Sequence, residues 1–593
     1  MATVAPVTPI HPPRGTIQMA SPKSLEKPEN GWNGLKHWQY DLRSGFMVAV
    51  ISLPFSMGVA ITSGAPPVCG IISAIVAGLL VPFLGGSYLT VSGPAAGLAP
   101  AVYSGIFALG TAYLGATASH DDVMRAGYPL VLVAICIAGI LQVVLARFKV
   151  ARLCAIFPAA AIEGMLASIG LVIIVKQFPL ILGQKFEAHG FWEILAEVPQ
   201  RVATMDIQVF TLGIGCIALL FILGAVPSKL LGVMPPPVWA TLIGTVASLL
   251  FFNVGAENLI YIPESPLKHG IALPHVYEAM HAPRVWLPLT YAVFLLLLIG
   301  GVESLATIMA VDKLDPYRRR SDPDRTLHAM GLANFASSLV GGLTIIPGIV
   351  KSTANIIGGG RTQWASFYNA CFLLLMLIFA RDLINVVPKA VLASILVYVG
   401  FKLCRPKVWQ HVAKIGTEQF AVFAVTVLVT VSTDLLVGIV AGVALKLVLN
   451  LWYISLATRL NGSGSVQPTR HVTALFNLFR NPVGERVQVG EHYDVYLVRP
   501  LVCFNLFHVI RELQELPTGV KAVRLHFTPL VTLVDHTTAE TLFHYIHDFN
   551  SKELTLELVN WERLRPLSDH PSAIQLGLSG ELIESEPPKV AVV

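Results

Sequence analysis

Hydrophobic residues form long runs between residues 42 and 456, and short polar stretches separate one run from the next. Several runs are shorter than the roughly 20 residues that a straight transmembrane helix needs. A half-apolar stretch at 347–360 completes a set of fourteen segments. Because helices satisfy their own backbone groups in lipid, the pattern predicts a polytopic α-helical membrane protein. The other segments are 42–62, 67–84, 92–110, 128–146, 153–175, 208–225, 229–252, 286–311, 326–342, 364–380, 385–403, 417–432 and 434–456.

Lysine and arginine are concentrated in alternate connections between these segments. Numbered in order, the basic connections fall on one side of the membrane, which the positive-inside rule identifies as the cytoplasm. We therefore expect a multi-pass protein of the inner (plasma) membrane with both termini in the cytoplasm. The basic excess belongs to loops, so no nucleic-acid partner is expected. The residues are Lys23, Lys27, Lys36 and Arg43 before the first segment, Arg147, Lys149 and Arg152 after the fourth, Lys313, Arg318, Arg319, Arg320 and Arg325 after the eighth, and Lys402, Arg405, Lys407 and Lys414 after the twelfth.

The composition of the whole chain averages two different regions. Hydrophobic residues make up 54% and charged residues 13%, about half the charged share of a soluble domain. The tail from residue 471 holds 15 acidic and 10 basic residues, whereas the body before it is basic. The predicted division is an N-terminal segment (1–38), a transport domain (39–458), a linker (459–480), a soluble domain (481–577) and a tail (578–593).

The soluble domain alternates predicted strands with predicted helices, which is typical of a small α/β domain. It contains no Gly-rich phosphate loop and no nucleophile paired with a base, so we expect a regulatory or structural part and not an enzyme. No metal site is predicted, because the cysteines and histidines lack ligand spacing. The strands are Tyr493–Val498, Ala522–Phe527 and Leu554–Val559, and the helices are Phe504–Leu513 and Thr537–Phe549.

Two segments are interrupted by glycine and proline at matching places. The sequence Gly85–Gly97 begins with paired glycines and reaches Gly-Pro, and Gly341–Gly348 repeats that plan 256 residues later with Pro-Gly. Each lies in the third segment if the body divides into two halves of seven. Matching interruptions of this kind are the best sequence indication of a transporter site. The alternative is that these residues only allow close helix packing.

A broken helix exposes free backbone N–H groups and the positive end of its dipole. Two such ends meeting inside the membrane would form an anion site. Lys351 follows the second interruption and would add a full positive charge, while Ser352 and Thr353 could donate hydroxyl hydrogen bonds. Alternatively, Lys351 extends its ammonium to the membrane surface.

Two further features lie deep in predicted segments. Glu303, in the eighth segment, has to pair, protonate or bind a cation in lipid. It would couple transport to H⁺ or Na⁺, or it would form an ion pair with Lys351, and the sequence favours neither. Pro54 frees a carbonyl in the first segment and makes Phe55 and Ser56 candidate walls of the site, although a plain kink fits equally well.

The chain resembles the SulP anion permeases, relatives of the animal family that contains prestin and pendrin. The likeness lies in Asp41–Phe46, Leu53-Pro54, Gly64–Pro67, Lys351–Thr362 and Val387–Ala393, and the tail with Leu533–Thr537 resembles a STAS domain. The resemblance implies fourteen segments in two inverted repeats of seven, UraA-like, with a core domain that moves against a gate domain. It also implies a homodimer.

By position, the resemblance implies a substrate site between the two half-helices. Lys351 falls where many relatives carry arginine, and Phe55 replaces a common glutamine. In the tail, Thr537 matches the residue that some relatives phosphorylate, which makes it the regulatory candidate. The implied site residues are Phe55, Ser56, Ser92, Gly93, Pro94, Ala95, Ala96, Glu303, Ile349, Val350, Lys351 and Ser352.

Together these features predict a secondary active transporter of small inorganic anions, sulfate or bicarbonate, by H⁺ or Na⁺ symport or by anion exchange. No cofactor is expected beyond the coupling ion, with Glu303 as the coupling candidate. Two alternatives remain open: a permease for a dicarboxylate or another organic anion, since one fold serves many substrates, and a membrane-anchored regulatory scaffold whose tail recruits a cytoplasmic partner.

Overall fold

The computed structural model describes residues 27–577 except 116, 150–157, 189, 226–235, 253, 263–271, 318, 434, 461–467 and 551–553. Most of the predicted N-terminal segment, part of the linker and the C-terminal tail therefore lie outside the described residues. The helices of the body are α1 (Trp38–Thr62), α2 (Pro67–Leu84), α3 (Ala99–Leu114), α4 (His120–Arg147), α5 (Ala159–Lys176), α6 (Phe178–Leu182), α7 (Phe191–Val202), α8 (Ile207–Ala225), α9 (Pro236–Phe251), α10 (Val276–His281), α11 (Pro283–Leu314), α12 (Pro323–Leu339), α13 (Ile349–Ile357), α14 (Trp364–Phe379), α15 (Arg381–Asn385), α16 (Lys389–Leu403), α17 (Pro406–Ile415), α18 (Thr417–Ser432) and α19 (Leu435–Leu460).

Each of the fourteen predicted segments coincides with a helix in the described part of the chain. Seven helices there are long and apolar enough to cross a membrane, and four shorter apolar helices accompany them. The third and tenth segments differ from the others, because each consists of a short strand, β1 (Ser92–Pro94) or β2 (Ile345–Pro347), followed by a half-helix. The prediction of a polytopic helical membrane protein is confirmed.

Prolines mark the beginnings of many of these helices. Pro67, Pro283, Pro323 and Pro406 each occupy the first position of a helix, where the missing N–H has no intrahelical partner to lose. Pro54 lies within α1, as the sequence indicates. Prolines at these positions are thus compatible with a helical body.

The helices pack in two groups. The core group contains α1–α4 and α11–α14, and the gate group contains α5, α8, α9, α16, α18 and α19. Glycines allow the closest approaches within each group: a Cβ on Gly139 of α4 would lie 2.7 Å from the Gly331 oxygen of α12. In the gate group, a Cβ on Gly170 of α5 would lie 2.5 Å from the Gly400 oxygen of α16. Each group thus takes helices from both halves of the chain.

The C-terminal domain is a mixed α/β unit. Its four-stranded sheet has the order β3-β4-β5-β7, with β3 and β4 antiparallel and the other pairs parallel, and β6, β9 and β8 form a smaller antiparallel sheet. The elements are α20 (Pro468–Asn477), β3 (Val483–Val489), β4 (His492–Leu497), α21 (Leu506–Gln514), β5 (Ala522–Phe527), β6 (Leu533–Val534), α22 (His536–Asn550), β7 (Thr555–Val559), β8 (Leu564–Pro566) and β9 (Gln575–Gly577).

The predicted elements of this domain are present with shifts of one or two residues, but the sequence reading was incomplete. It missed β3, in which Glu485 interrupts the alternation of Val483, Val487 and Val489, and the two- and three-residue strands of the smaller sheet. It also missed α20, which lies in the predicted linker.

The C-terminal domain contacts the body at three places. The Ala159 N–H donates to Thr537 Oγ1 at 3.0 Å, and Ser568 Oγ donates to the Ile415 carbonyl at 2.5 Å. The Arg320 guanidinium lies 6.0 Å from the centre of the Tyr545 ring. The first contact lies at the start of α5, and the other two lie in the connections after the eighth and twelfth segments. These connections, which carry clustered basic residues, therefore lie on the face of the body that contacts the C-terminal domain.

Candidate functional site

The two interrupted segments meet in an antiparallel strand pair. β1 and β2 pair Ser92 with Pro347, Gly93 with Ile346 and Pro94 with Ile345, and all six residues are buried. The half-helices α3 and α13 begin a few residues after these strands. Antiparallel pairing of corresponding elements is what two inverted repeats require, and it brings the N-terminal ends of both half-helices into one region of the core group.

Polar side chains from neighbouring helices satisfy the backbone around this strand pair, as buried polar groups require. Sequence reasoning missed all of them, because two lie 270 and 266 residues from their partners and the third, Asn334, reaches its partner only through the fold. Asn334 Oδ1 accepts from the Ile345 N–H at 2.6 Å, and Ser73 Oγ accepts from the Leu343 N–H at 2.6 Å. Just before β1, the Leu89 carbonyl accepts a hydrogen bond from Asn355 Nδ2 at 2.9 Å.

The N-terminal end of α13 has free donors. Gly348 precedes the helix and provides no side-chain cap, and the first N–H bonded within the helix is that of Ser352, which donates to the Gly348 carbonyl at 2.9 Å. The N–H groups of Ile349, Val350 and Lys351 have no acceptor among the described residues. Three free donors at the positive end of a helix are suited to an anion.

Lys351 lies in this first turn and is only 1% exposed. Its Nζ donates to Ser56 Oγ at 3.1 Å and lies 5.3 Å from the centre of the Phe55 ring. Gly93 faces the ammonium so closely that a Cβ at this position would collide with Nζ. No carboxylate within the described ranges lies within 4.0 Å of Nζ. An ammonium buried with one hydroxyl partner is costly, and an anion would offset that cost.

Glu303 lies at the other half-helix. Its partly exposed side chain places the carboxylate against Gly97, just before α3 begins, where a Cβ would collide with both carboxylate oxygens. In the part of the chain that the structure describes, Oε2 has no hydrogen-bond partner and the carboxylate forms no ion pair with Lys351. The ion pair with Lys351 is therefore not formed in this structure. The Lys351 ammonium lies at the start of α13, and the Glu303 carboxylate lies at the start of α3.

The serine hydroxyls at the site have different surroundings. Ser352 Oγ accepts from the Val91 N–H at 3.0 Å and donates to the Gly348 carbonyl at 2.7 Å, so it joins β1 to α13. Thr353 Oγ1 donates to the Ile349 carbonyl at 2.8 Å. In contrast, the buried Ser92 Oγ has no partner among the described residues. Ser92 is thus the better-placed hydroxyl donor, whereas the sequence indicates Ser352 as the donor.

The structure brings most of the predicted site residues together around the strand pair. Ala95 donates its N–H to the Thr344 carbonyl at 3.1 Å, so it holds the strands and offers no free donor. Ile349 is 41% exposed, and Val350 and Ala96 are partly exposed. Thr537 lies elsewhere, 9% exposed at the contact with the body. The roles of these residues in substrate binding and regulation stay predictions.

Half-helices that begin at a shared strand pair, within two packed groups of helices drawn from both halves of the chain, define the architecture of a broken-helix secondary transporter. The sequence profile of the Sulfate permease family matches residues 38–426, and the chain belongs to this family. The resemblance inferred from the sequence is thus confirmed for the body.

Relatives agree with this family, and solved structures resemble the fold. The chain is 27% identical to the "Putative sulfate transporter YvdB" of Bacillus subtilis (strain 168), over 73% of this chain and 77% of that protein. It is 25% identical to the Bicarbonate transporter BicA of Picosynechococcus sp. (strain ATCC 27264 / PCC 7002 / PR-6), over 69% and 70%. The transmembrane domain of a cyanobacterium bicarbonate transporter BicA aligns with a TM-score of 0.58 at 23% identity, covering 69% of this chain and 98% of that one. The overall structure of SLC26A9 aligns with a TM-score of 0.58 at 16% identity, covering 88% and 84%.

Proposed function

We propose that this protein is a secondary transporter of a small inorganic anion, sulfate or bicarbonate. The observation that carries the proposal is the N-terminal end of α13, where three free N–H groups accompany a buried ammonium, Lys351, with no carboxylate partner in the described chain. The names of the YvdB and BicA relatives support the same substrate class. An organic anion remains the alternative, and the experiment below includes one.

The anion binds between the two half-helix ends. It accepts hydrogen bonds from the free N–H groups of α13 and neutralises the Lys351 ammonium, while the Ser92 hydroxyl is free to donate from β1. Ser56 keeps the ammonium oriented, and the Phe55 ring forms an apolar wall beside it. The uncharged N–H donors of the helix end and the Lys351 ammonium together stabilise the anion.

Transport follows when the core group carries this site past the gate group. Glu303 is the proposed coupling residue, because its carboxylate lies at the start of α3 and forms no ion pair with any residue that the structure describes. A carboxylate in that position takes up H⁺ or Na⁺ on one side and releases it on the other. Symport through Glu303 is favoured over exchange by this unpaired carboxylate.

We place the C-terminal domain and both termini on the cytoplasmic side of the inner membrane, since that domain lies on the face with the clustered basic loops. The domain resembles a STAS domain, and we assign it a regulatory or structural role in a homodimer. Thr537 acts there as a docking residue in this conformation, because its Oγ1 accepts a hydrogen bond from the body. Its phosphorylation would require the domain to separate from α5.

Uptake into proteoliposomes tests this function. Purified protein is reconstituted and supplied with labelled sulfate, bicarbonate or succinate, under a Na⁺ gradient, a pH gradient or no gradient. We expect saturable uptake of an inorganic anion that a cation gradient accelerates. Saturable uptake of succinate alone would favour the organic-anion permease, and no saturable uptake of any anion would refute a transport function and favour the scaffold.

A further inference from the structure

A second lysine, Lys176, bridges the core and gate groups. It is the last residue of α5 in the gate group, and its Nζ lies 3.8 Å from the centre of the Tyr103 ring on α3 in the core group. The next residue forms a second bridge, because Gln177 Nε2 donates to Thr62 Oγ1 at the end of α1 at 3.0 Å. These contacts join the two groups at one end of the body.

This end lies on the face opposite the C-terminal domain. α5 begins at Ala159, whose N–H contacts Thr537 of that domain, and continues for 18 residues to Lys176. At 1.5 Å per residue the helix is roughly 26 Å long, close to the thickness of the hydrocarbon layer of a membrane. With the C-terminal domain in the cytoplasm, Lys176 lies at the outer mouth of the cleft between the groups.

The ammonium of Lys176 has a weak partner. In the described ranges no carboxylate lies within 4.0 Å of its Nζ, and the contact that the structure gives it is the face of an aromatic ring. Lys176 is partly exposed, and a cation–π contact at such a site contributes on the order of 1 kcal/mol. The ring belongs to α3, the half-helix whose start lies against the Glu303 carboxylate of α11. A movement of the core group relative to the gate group would therefore withdraw the ring from the ammonium.

We propose that Lys176 is an outer capture site for the transported inorganic anion, distinct from the site at the strand pair. The inference rests on the proposed function and adds a second place where the anion binds. When α3 moves away from α5, the bare ammonium attracts an oxyanion from outside. The ring of Tyr103 and the anion compete for this ammonium, so a bound anion keeps the mouth open until it passes inward and the ring returns.

Transport kinetics test the capture site. Replacing Lys176 with Gln removes the charge, and we expect the KM for external anion to rise about tenfold, in the range by which local charge raises ligand encounter. The KM measured from the cytoplasmic side stays unchanged. Lys185→Gln is the matched control, since Lys185 is an exposed lysine in the connection after α6, and it leaves both constants unchanged. An external KM within twofold of wild type in Lys176→Gln, or an equal rise on both sides, would overturn the proposal.

Thiol labelling tests the same site without transport. Tyr103→Cys is introduced after the seven native cysteines are replaced, and membrane-impermeant thiol reagents of matched size and opposite charge are applied from outside. We expect the anionic reagent to react about tenfold faster, sulfate or bicarbonate to slow it, and Lys176→Gln to abolish the difference. Equal rates with Lys176 present would contradict the capture site. Charge selectivity and protection in a protein that transports nothing would instead retain this site and refute the proposed function.

Discussion

Replacing Lys351 with methionine removes the ammonium and keeps an unbranched side chain of similar length. The lost attraction can be worked from the geometry: an anion in contact with the first turn of α13 lies about 4 Å from Nζ, where two unit charges attract by about 4 kcal/mol at an effective dielectric constant of 20. Since about 1.4 kcal/mol corresponds to a factor of ten, we expect anion affinity to fall by about a thousandfold. Uptake at ordinary concentrations of anion is therefore abolished.

The same substitution stabilises the protein in the absence of anion. Lys351 is 1% exposed, and among the described residues its ammonium donates a hydrogen bond to the Ser56 hydroxyl alone. Replacing a poorly compensated buried ion by an apolar side chain of similar volume often stabilises by about 1–4 kcal/mol. We expect Lys351→Met to raise the apparent melting temperature of the detergent-solubilised protein, a result that a merely misfolded variant would not give.

Uptake and thermal unfolding are measured on the same preparations, with two controls. Lys351→Arg keeps the charge and retains measurable uptake. Lys389→Met removes a lysine from the first turn of another helix, α16, where Nζ donates to the Glu257 carbonyl, and it leaves uptake unchanged. If Lys351→Met transported with an affinity within about threefold of wild type, the electrostatic reasoning would be refuted.

Three further predictions concern other residues. Gly93→Ala drives a methyl group into the position of the Lys351 ammonium, so anion affinity falls at least tenfold, as measured by uptake. Glu303→Gln removes the titratable carboxylate, so uptake loses its dependence on a Na⁺ or pH gradient. In the C-terminal domain, burial raises the pKa of Glu512, but the hydrogen bond from Arg486 leaves it below its ordinary value of 4.5. The ionised Glu512 therefore stabilises the domain above that pH, and this contribution is lost as the pH falls through the lowered pKa. We expect Glu512→Gln to make the free energy of unfolding of the domain, measured by hydrogen exchange, fall less steeply in acid.

These predictions have their own controls and contrary outcomes. Gly215→Ala on α8 adds a methyl group where no described atom outside its own stretch of helix lies within 4 Å, so it leaves uptake unchanged. Equal losses in Gly93→Ala and Gly215→Ala would show a general intolerance of alanine. A Glu303→Gln variant that keeps the gradient dependence of wild type would remove Glu303 from coupling. If the free energy of unfolding of Glu512→Gln fell as steeply in acid as that of wild type, the hydrogen bond from Arg486 would not set the acid stability of the domain.

Much of the architecture could be predicted because it depends on local patterns. Apolar runs locate the helices, and the glycine and proline pairs at 85–97 and 341–348 locate the two strands that interrupt them. The position of Lys351 within the first turn after the second interruption followed from the same reading. These features depend on a few consecutive residues, so the sequence contains them directly.

The remaining features depend on contacts between residues far apart in the chain. Gly93 contacts Lys351, which lies 258 residues later in the chain, and Asn355 donates a hydrogen bond to the Leu89 carbonyl, 266 residues away. No rule of sequence spacing reveals these contacts. Ser352 shows the same limit in another way. Its position at the half-helix suggested an anion ligand, but the folded chain places the Val91 N–H beside its hydroxyl and engages it.

The most direct test of the account is the structure of the full-length protein in lipid nanodiscs with the anion that drives saturable uptake. The account predicts anion density between β1 and the start of α13, within hydrogen-bond distance of the N–H groups of Ile349 and Val350 and of the Lys351 ammonium, and loss of that density in Lys351→Met. Anion density at another place in the body, with this position empty at saturating anion, would contradict the central claim.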